Sequence, residues 1–63
     1  MSVFKLEINL DNSAYQDEEG NFEPHQQIIW NLKAVTDGLE QGSYNGRVYD
    51  LNGNRVGNWS IQE

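Results

Sequence analysis

The sequence predicts an α+β fold in which one helix lies on one face of a three-stranded, mainly antiparallel sheet. Three segments predict it: an alternating one from Val3 to Leu10, an amphipathic one from Pro24 to Gln41, and one with a central turn from Tyr44 to Ile61. Their order is strand, helix, strand and strand, so we expect a βαββ two-layer sandwich. The 63 residues form a single domain, residues 1–63, and no internal repeat is apparent.

The first segment alternates between apolar and polar side chains. Phe4, Leu6, Ile8 and Leu10 fall on one face, and mostly charged or polar residues fall on the other. A period of two is typical of a strand with one buried face. We expect the strand to end at residues 11–13, Asp-Asn-Ser, because their short side chains bond to nearby backbone and compete with the sheet.

An acidic loop, Asp11 to Glu23, follows the strand. It carries half of the ten acidic residues and no basic residue. Loops of this length are often functional. We interpret the loop as a contact surface for a partner protein, formed by Tyr15, Asp17, Glu18, Glu19 and Phe22. The alternative for the two aromatic side chains, which we favour, is that they anchor the loop to the core.

The middle segment has the period of a helix with one apolar stripe, about 60° wide at about 100° per residue. The stripe contains Ile28, Leu32, Val35 and Leu39, with Ile29 and Thr36 at its borders. Pro24 suits the first turn, and Gly42 suits a left-handed cap after the last turn. Gly38 costs about 1 kcal/mol relative to alanine inside a helix, so it marks either an early end or a close approach to another element.

Trp30 lies about 200° around the helix from Ile28, on the face of Lys33 and Asp37. A single sheet therefore leaves it partly in water. In one interpretation, its side chain lies flat along the helix or beneath the acidic loop. In the other, it anchors an interface, because tryptophan is enriched among residues that dominate binding energy. A homodimer through this face is one form of the second interpretation.

The last segment predicts a hairpin around Asn52 and Gly53, two residues that tolerate positive φ. We favour a two-residue type I′ turn, which places Asp50 opposite Arg55. This register sets four side chains on one face: Tyr44, Val48, Trp59 and Ile61. A type I turn with a glycine bulge, with Gly53 left-handed, would instead set Val48 opposite Val56.

Two further glycines lie in the predicted strands of this hairpin. In either register, Gly46 and Gly57 leave space for a large neighbouring side chain.

Composition and charge exclude several classes of protein. Four basic and ten acidic residues give a net charge of −6, which disfavours nucleic acid as a partner because phosphate binding depends on lysine and arginine. The absence of cysteine excludes disulfides and thiolate zinc sites. No segment approaches the ~20 apolar residues of a membrane span, and the start lacks the pattern of a signal peptide. We therefore expect a soluble, cytoplasmic protein.

The sequence contains no recognisable catalytic or metal-binding motif. The only histidine, His25, has no glycine-flanked serine elbow to act with. The run from Asp50 to Asn54 spaces oxygen ligands like a calcium loop, but its glycine comes too early, and Ile61 stands where a bidentate glutamate is required. We expect a non-enzymatic protein without cofactor or metal.

Three stretches resemble a group of short proteins found in phages, prophages and conjugative elements. They are DNSAYQDE at residues 11–18, LEQG at residues 39–42 and GRVYDLNGNRVGNW at residues 46–59. The resemblance implies an origin in a mobile element and no known activity. It does not extend to the arginine-rich helix of that group, because Trp30, Lys33, Ala34 and Gly38 occupy that surface here.

These features favour a small acidic accessory protein that binds another protein, such as a host or defence factor that it inhibits, through the acidic loop and Trp30. Mimicry of DNA is a sharper form, weakly supported by five carboxylates in one loop because DNA carries a charge every ~1.7 Å. One alternative is a homo-oligomeric structural module, joined through Trp30 or an open strand edge. The other is nucleic-acid binding by Arg47 and Arg55, which requires the few positive charges to gather on one face.

Overall fold

The computed structural model describes all 63 residues. Its elements are strand β1 (Val3–Ile8), a 3-10 turn (Ser13–Tyr15), helix α1 (His25–Glu40), and strands β2 (Asn45–Tyr49) and β3 (Arg55–Gln62). The strands form one sheet in the order β1-β3-β2, and both pairings are antiparallel. The predicted α+β, βαββ architecture is confirmed. Helix α1 is neither long enough nor apolar enough to span a bilayer.

The core lies between α1 and one face of the sheet. The pairing register places Leu6 of β1 and Gly46 of β2 on either side of Trp59 in β3. The buried apolar side chains are Tyr15, Val35, Val48, Val56 and Trp59. Leu6, Ile8 and Leu10 pack against them as partly buried side chains, so the predicted alternation of the first strand is correct.

Helix α1 packs through a different face from the predicted stripe. Its buried side chains are Gln27, Asn31 and Val35. Leu32 and Leu39, predicted to lie in the core, are 42% and 40% exposed, whereas Val35 is buried as predicted. The centre of the buried face is rotated by roughly 70° from the predicted stripe. Part of the predicted apolar stripe therefore faces solvent.

The indole of Trp59 lies against Gly38 of α1, and this contact accounts for part of the rotation of the helix. A Cβ atom added at Gly38 would lie 2.9 Å from its Cζ2, and one at Gly46 would lie 2.5 Å from its Nε1. The predicted space beside Gly46 is thus filled by a large side chain, and Gly38 marks a close approach. The prediction that Gly57 leaves space for a large side chain is wrong. A Cβ there would collide with the carbonyl of Glu7, because the backbone of β1 occupies that space.

The hairpin turn is not the favoured type I′ turn. Gly53 has a φ of +84°, and no residue other than glycine has positive φ, whereas type I′ requires positive φ at both central residues. The N–H of Asp50 donates to the carbonyl of Asn54 at 2.9 Å, and the N–H of Gly53 donates to the carbonyl of Asp50 at 3.1 Å. The turn is therefore type I with a glycine bulge, the alternative that the sequence left open.

The register of the hairpin differs from both predictions. Arg55 pairs with Tyr49 rather than Asp50, and a second irregularity sets Val48 opposite Gly57 rather than Val56. Val48 and Trp59 are nevertheless buried on one face with the partly buried Ile61, as predicted. Tyr44, predicted on that face, is exposed and precedes β2.

Helix α1 ends as Gly42 predicts. Gly42 has a φ of +84°. Its N–H donates to the carbonyl of Leu39 at 3.0 Å, and the N–H of Ser43 donates to the carbonyl of Gly38 at 3.1 Å. These two bonds form a Schellman motif, which turns the chain towards β2.

Candidate functional site

Asp17 builds the turn of the acidic loop. Its carboxylate accepts the backbone N–H groups of Glu19 and Asn21, both at 2.9 Å. The N–H of Asp17 donates to the carbonyl of Asn21 at 2.8 Å, and the N–H of Gly20 donates to that of Asp17 at 3.1 Å. The backbone hydrogen bond from Asn21 is the main reason that the pKa of the Asp17 carboxyl is lowered. Asp17 therefore shapes the loop with the carboxylate that was predicted to meet a partner.

The turn between β2 and β3 has the same hydrogen bonds. Asp50 accepts the backbone N–H groups of Asn52 and Asn54, both at 2.9 Å. Gly20 and Gly53, each three residues after its aspartate, both have a φ of +84°. The shared pattern Asp-x-x-Gly-Asn occupies residues 17–21 and 50–54. The chain therefore uses the same five-residue turn motif twice.

Asp50 is buried, unlike Asp17, and joins two distant segments. Its Oδ2 accepts a hydrogen bond of 2.9 Å from Nδ2 of Asn12, and Oδ1 of Asn12 caps the 3-10 turn through the N–H of Ala14 at 2.8 Å. Burial raises the pKa of the Asp50 carboxyl, but the hydrogen bonds from Asn54, Asn52 and Asn12 lower it by more, so the pKa lies below its ordinary value. Asp50 thus holds the acidic loop against the hairpin.

Tyr15 is a core residue and not a contact residue. It has no exposed surface, and its hydroxyl donates to Oδ1 of Asn31 at 2.8 Å. Burial and the negative charge of Asp50 raise the pKa of Tyr15. The prediction that its side chain touches a partner is therefore wrong, and the alternative, that it anchors the loop to the core, is correct.

A groove of about 350 Å³ lies where the acidic loop, the first half of α1 and the β2–β3 turn meet. Its lining residues are Ala14, Gln16, Glu23, Gln26, Gln27, Trp30 and Leu51. The exposed side chains of Trp30 and Leu51 supply its apolar surface, and Trp30 is 49% exposed. The predicted partial exposure of this tryptophan is confirmed.

Gln27 is the most buried side chain of the groove. It is 7% exposed, and its Nε2 has no hydrogen-bond partner. A buried polar group without a partner costs about 1–3 kcal/mol, because it gives up its bonds to water without replacing them. Such a group is satisfied when a bound molecule presents an acceptor, so this amide makes the groove a candidate binding site.

The other predicted contact residues lie on the surface beside this groove. Glu18, Glu19 and Phe22 are exposed but do not line it. Nδ1 of His25 and Oε1 of Glu23 lie 3.0 Å apart, and no lysine or arginine pairs with a carboxylate anywhere in the chain, so the carboxylates of Glu18 and Glu19 are free of cations. Sequence reasoning missed Gln27, which no pattern singled out, and Leu51, whose signal is an apolar side chain inside a polar turn.

Positive charge gathers on the opposite face of the sheet. The register sets Lys5 opposite Ser60, Arg47 opposite Asn58 and Arg55 opposite Tyr49, all turned away from α1 by the alternation of the strands. Three of the four basic residues therefore share this face, where Glu7 is the only acidic residue of the strands. The groove lies on the other side of the sheet, where α1 lines it.

The structure contains no group of three or more histidine and acidic side chains arranged to hold a metal ion. Comparison of the chain with protein-family models, with curated proteins and with solved structures finds no match.

Proposed function

We propose that this protein is a non-catalytic binding module that holds a basic segment of another protein in the groove between Trp30 and Leu51. The observation that carries the proposal is the unpaired Nε2 of the buried Gln27. A main-chain carbonyl of the bound segment would accept its hydrogen bond. Apolar parts of the same segment would cover Trp30 and Leu51, the kind of contact that contributes most binding energy in interfaces.

The distribution of charge favours a basic segment. Glu23 lines the groove, and no lysine or arginine does. Glu18 and Glu19 stand in the turn beside it without a pairing cation. Complementary charge of this kind speeds encounter and selects the partner, even where each exposed pair adds little affinity.

The proposed setting is that of an accessory protein of a phage or another mobile element, working in the cytoplasm of its host. The stretches at residues 11–18, 39–42 and 46–59 support it through their resemblance to short proteins of such elements. In that setting the partner is a host or defence protein that the module inhibits by occupying one of its basic segments. DNA mimicry is less favoured, because Asp17 is committed to its turn and Glu18 and Glu19 form only a small charged surface.

The test is selection of random peptides displayed on phage against the immobilised protein. We expect enrichment of peptides that combine lysine or arginine with apolar residues. The double variant Glu18→Lys/Glu19→Lys should bind the selected peptides about tenfold more weakly. Asp17 is left unchanged, because its replacement would break the turn.

A matched control has the same net charge as this variant. Glu40→Lys/Glu63→Lys also changes the net charge from −6 to −2, but the two residues lie at the end of α1 and at the end of the chain. We expect this control to bind within about threefold of the original protein. Failure to enrich any basic peptide, or an equal loss in both variants, contradicts the proposal.

The opposite face of the sheet favours a second candidate function, binding of single-stranded nucleic acid. Lys5, Arg47 and Arg55 lie together there, as this function requires, and Tyr49 on the same face is exposed enough to stack on a base. The test is a gel shift with a labelled 20-mer of single-stranded DNA at about 50 mM salt. Loss of the shift in Arg47→Glu/Arg55→Glu supports this function, and absence of any shift with the original protein excludes it.

A further inference from the structure

One flank of α1 is exposed, carries two large apolar side chains and is covered by no other element. We define it by Ile29, Leu32, Lys33, Thr36 and Asp37, which surround a shallow depression of about 450 Å³. Its apolar members, Ile29 and Leu32, are both more than two-fifths exposed. The rotation of the helix leaves this flank in solvent.

Two other large apolar side chains are exposed on the side of the sheet that carries α1. Leu39 lies near the end of the helix, and Phe4 lies in β1 on the face of Trp59, with ring centroids 6.0 Å apart. The exposed apolar surface on this side therefore extends beyond the flank itself. The groove of Gln27 shares no residue with the flank.

We infer that the flank is covered by the same flank of a second copy of this chain, in a two-fold symmetric dimer. The first argument is area. The chain exposes 4810 Å², whereas a monomeric protein of its mass exposes about 4,100 Å². The excess of roughly 700 Å² is close to the ~800 Å² that each partner buries in an interface of standard size.

The shape of the chain supports the same conclusion. It measures 43 × 22 × 17 Å, and its radius of gyration is 12.7 Å, against about 10.6 Å for a compact domain of this length. Only five apolar side chains are buried. Pairing two such thin molecules through their helices would bury apolar surface that one copy leaves in water.

The second argument is charge. Lys33 and Asp37 stand one turn apart on the flank but form no ion pair within the chain. When two helices pack antiparallel about a two-fold axis, Lys33 of each copy meets Asp37 of the other, so one surface complements itself. The flank is also neutral in a chain with a net charge of −6, so a second copy meets little local repulsion there.

The experiment is sedimentation equilibrium of the full chain at concentrations from about 5 to 500 μM, a range that brackets interfaces of this size. We expect a mass of about 14 kDa, twice the 7.2 kDa of the chain. Leu32→Glu should raise the dimer dissociation constant about a hundredfold or more, because the change occurs in both copies. Circular dichroism verifies that the helix persists in this variant.

Charge exchange tests the predicted pairing of the two helices. Lys33→Asp and Asp37→Lys should each be monomeric alone, because like charges then meet across the axis. An equimolar mixture of the two should recover the dimer, since the first variant carries two negative charges on the flank and the second carries two positive charges, so opposite charges meet at both contacts. A mixture that remains monomeric would overturn the inference.

Two controls separate this inference from the proposed function. Leu51→Ser alters the peptide groove from the β2–β3 turn, away from α1, and should leave the dimer unchanged. Added salt should change the dimer little, because it screens the pairs between Lys33 and Asp37 together with the repulsion between the two acidic chains, whereas it should weaken binding of a basic peptide. A chain that stays at 7.2 kDa throughout, or a dimer that Leu32→Glu leaves intact, overturns the inference without affecting the groove.

Discussion

The hydroxyl of Tyr15 donates a 2.8 Å hydrogen bond to Oδ1 of Asn31, and both side chains are fully buried. Nδ2 of Asn31 in turn donates to the carbonyl of Tyr49 at 3.0 Å. Two hydrogen bonds therefore join the acidic loop, the helix and the hairpin in a core with few apolar side chains. Because these bonds are shielded from water, losing one partner leaves the other unsatisfied at full cost.

We expect Tyr15→Phe to lower the free energy of unfolding by about 1–2 kcal/mol, because it leaves Oδ1 of Asn31 buried without a donor. Tyr44→Phe, at an exposed position, is the matched control and should stay within about 0.5 kcal/mol. Urea denaturation followed by tryptophan fluorescence measures both. Equal stability of the two variants would show that the buried bond contributes nothing.

The same pair of residues explains which parts of the fold the sequence could predict. The alternation of β1, the extent of α1 and the cap at Gly42 depend on neighbouring residues, and all three were predicted correctly. The buried face of α1 was not, because apolar periodicity assumes that apolar side chains point to the core. Asn31 is buried because Tyr15, 16 residues earlier, reaches it, and no local pattern records that contact.

The sequence likewise predicts only part of the hairpin turn and part of the candidate site. Asn52-Gly53 predicts a hairpin, but the carboxylate of Asp50 selects the turn type by accepting two backbone N–H groups. For the site, the helical angle of Trp30 predicted its exposure correctly. Gln27 could not be found, because a glutamine in a helix is ordinary until the fold buries it without a partner.

The glycines beside Trp59 give a second prediction. Gly46→Ala should destabilise the fold by about 1–3 kcal/mol, because its Cβ would lie 2.5 Å from the indole. Gly38→Ala meets the indole at 2.9 Å but gains about 1 kcal/mol of helix propensity, so its cost should be smaller. Thermal unfolding followed by circular dichroism compares the two variants.

A smaller ring at position 59 supplies the control. Trp59→Phe removes the part of the indole that faces Gly38, so Gly38→Ala in that background should stabilise the fold by up to about 1 kcal/mol. The sign of the effect should thus depend on residue 59. If Gly38→Ala has the same effect in both backgrounds, contact with the indole does not set the spacing of helix and sheet.

A third prediction concerns the loss of stability of the fold at acidic pH. Because the pKa of Asp50 is lower in the fold than its ordinary value of 3.8, the unfolded chain binds the proton more readily as the pH falls. The contribution of Asp50 to stability is therefore complete above about pH 5, roughly one unit above that ordinary value, and is lost as the pH falls through its pKa in the fold. The midpoint of urea denaturation should decrease from pH 5 downwards.

Asn substitution at the two equivalent turns identifies the source of this dependence. Asp50→Asn should lower stability at pH 7 and flatten its decrease in acid. Asp17→Asn removes the same turn bonds from an exposed loop without the contact to Asn12, so its effect on global unfolding should be smaller. An unchanged acid dependence in Asp50→Asn would assign it to other carboxylates.

The last prediction joins stability to the groove. Gln27→Met replaces a buried amide that has no partner by an apolar side chain of similar size, so the free energy of unfolding should rise by about 1–2 kcal/mol. The same change removes the donor that we assign to the bound segment, so the affinity for selected peptides should fall by about tenfold. Gln41→Met, at an exposed position just after α1 and outside the groove, is the control for both measurements. If Gln27→Met lowers the free energy of unfolding, the amide is satisfied within the fold. If Gln27→Met raises the free energy of unfolding but leaves the peptide affinity unchanged, bound peptides do not use Gln27.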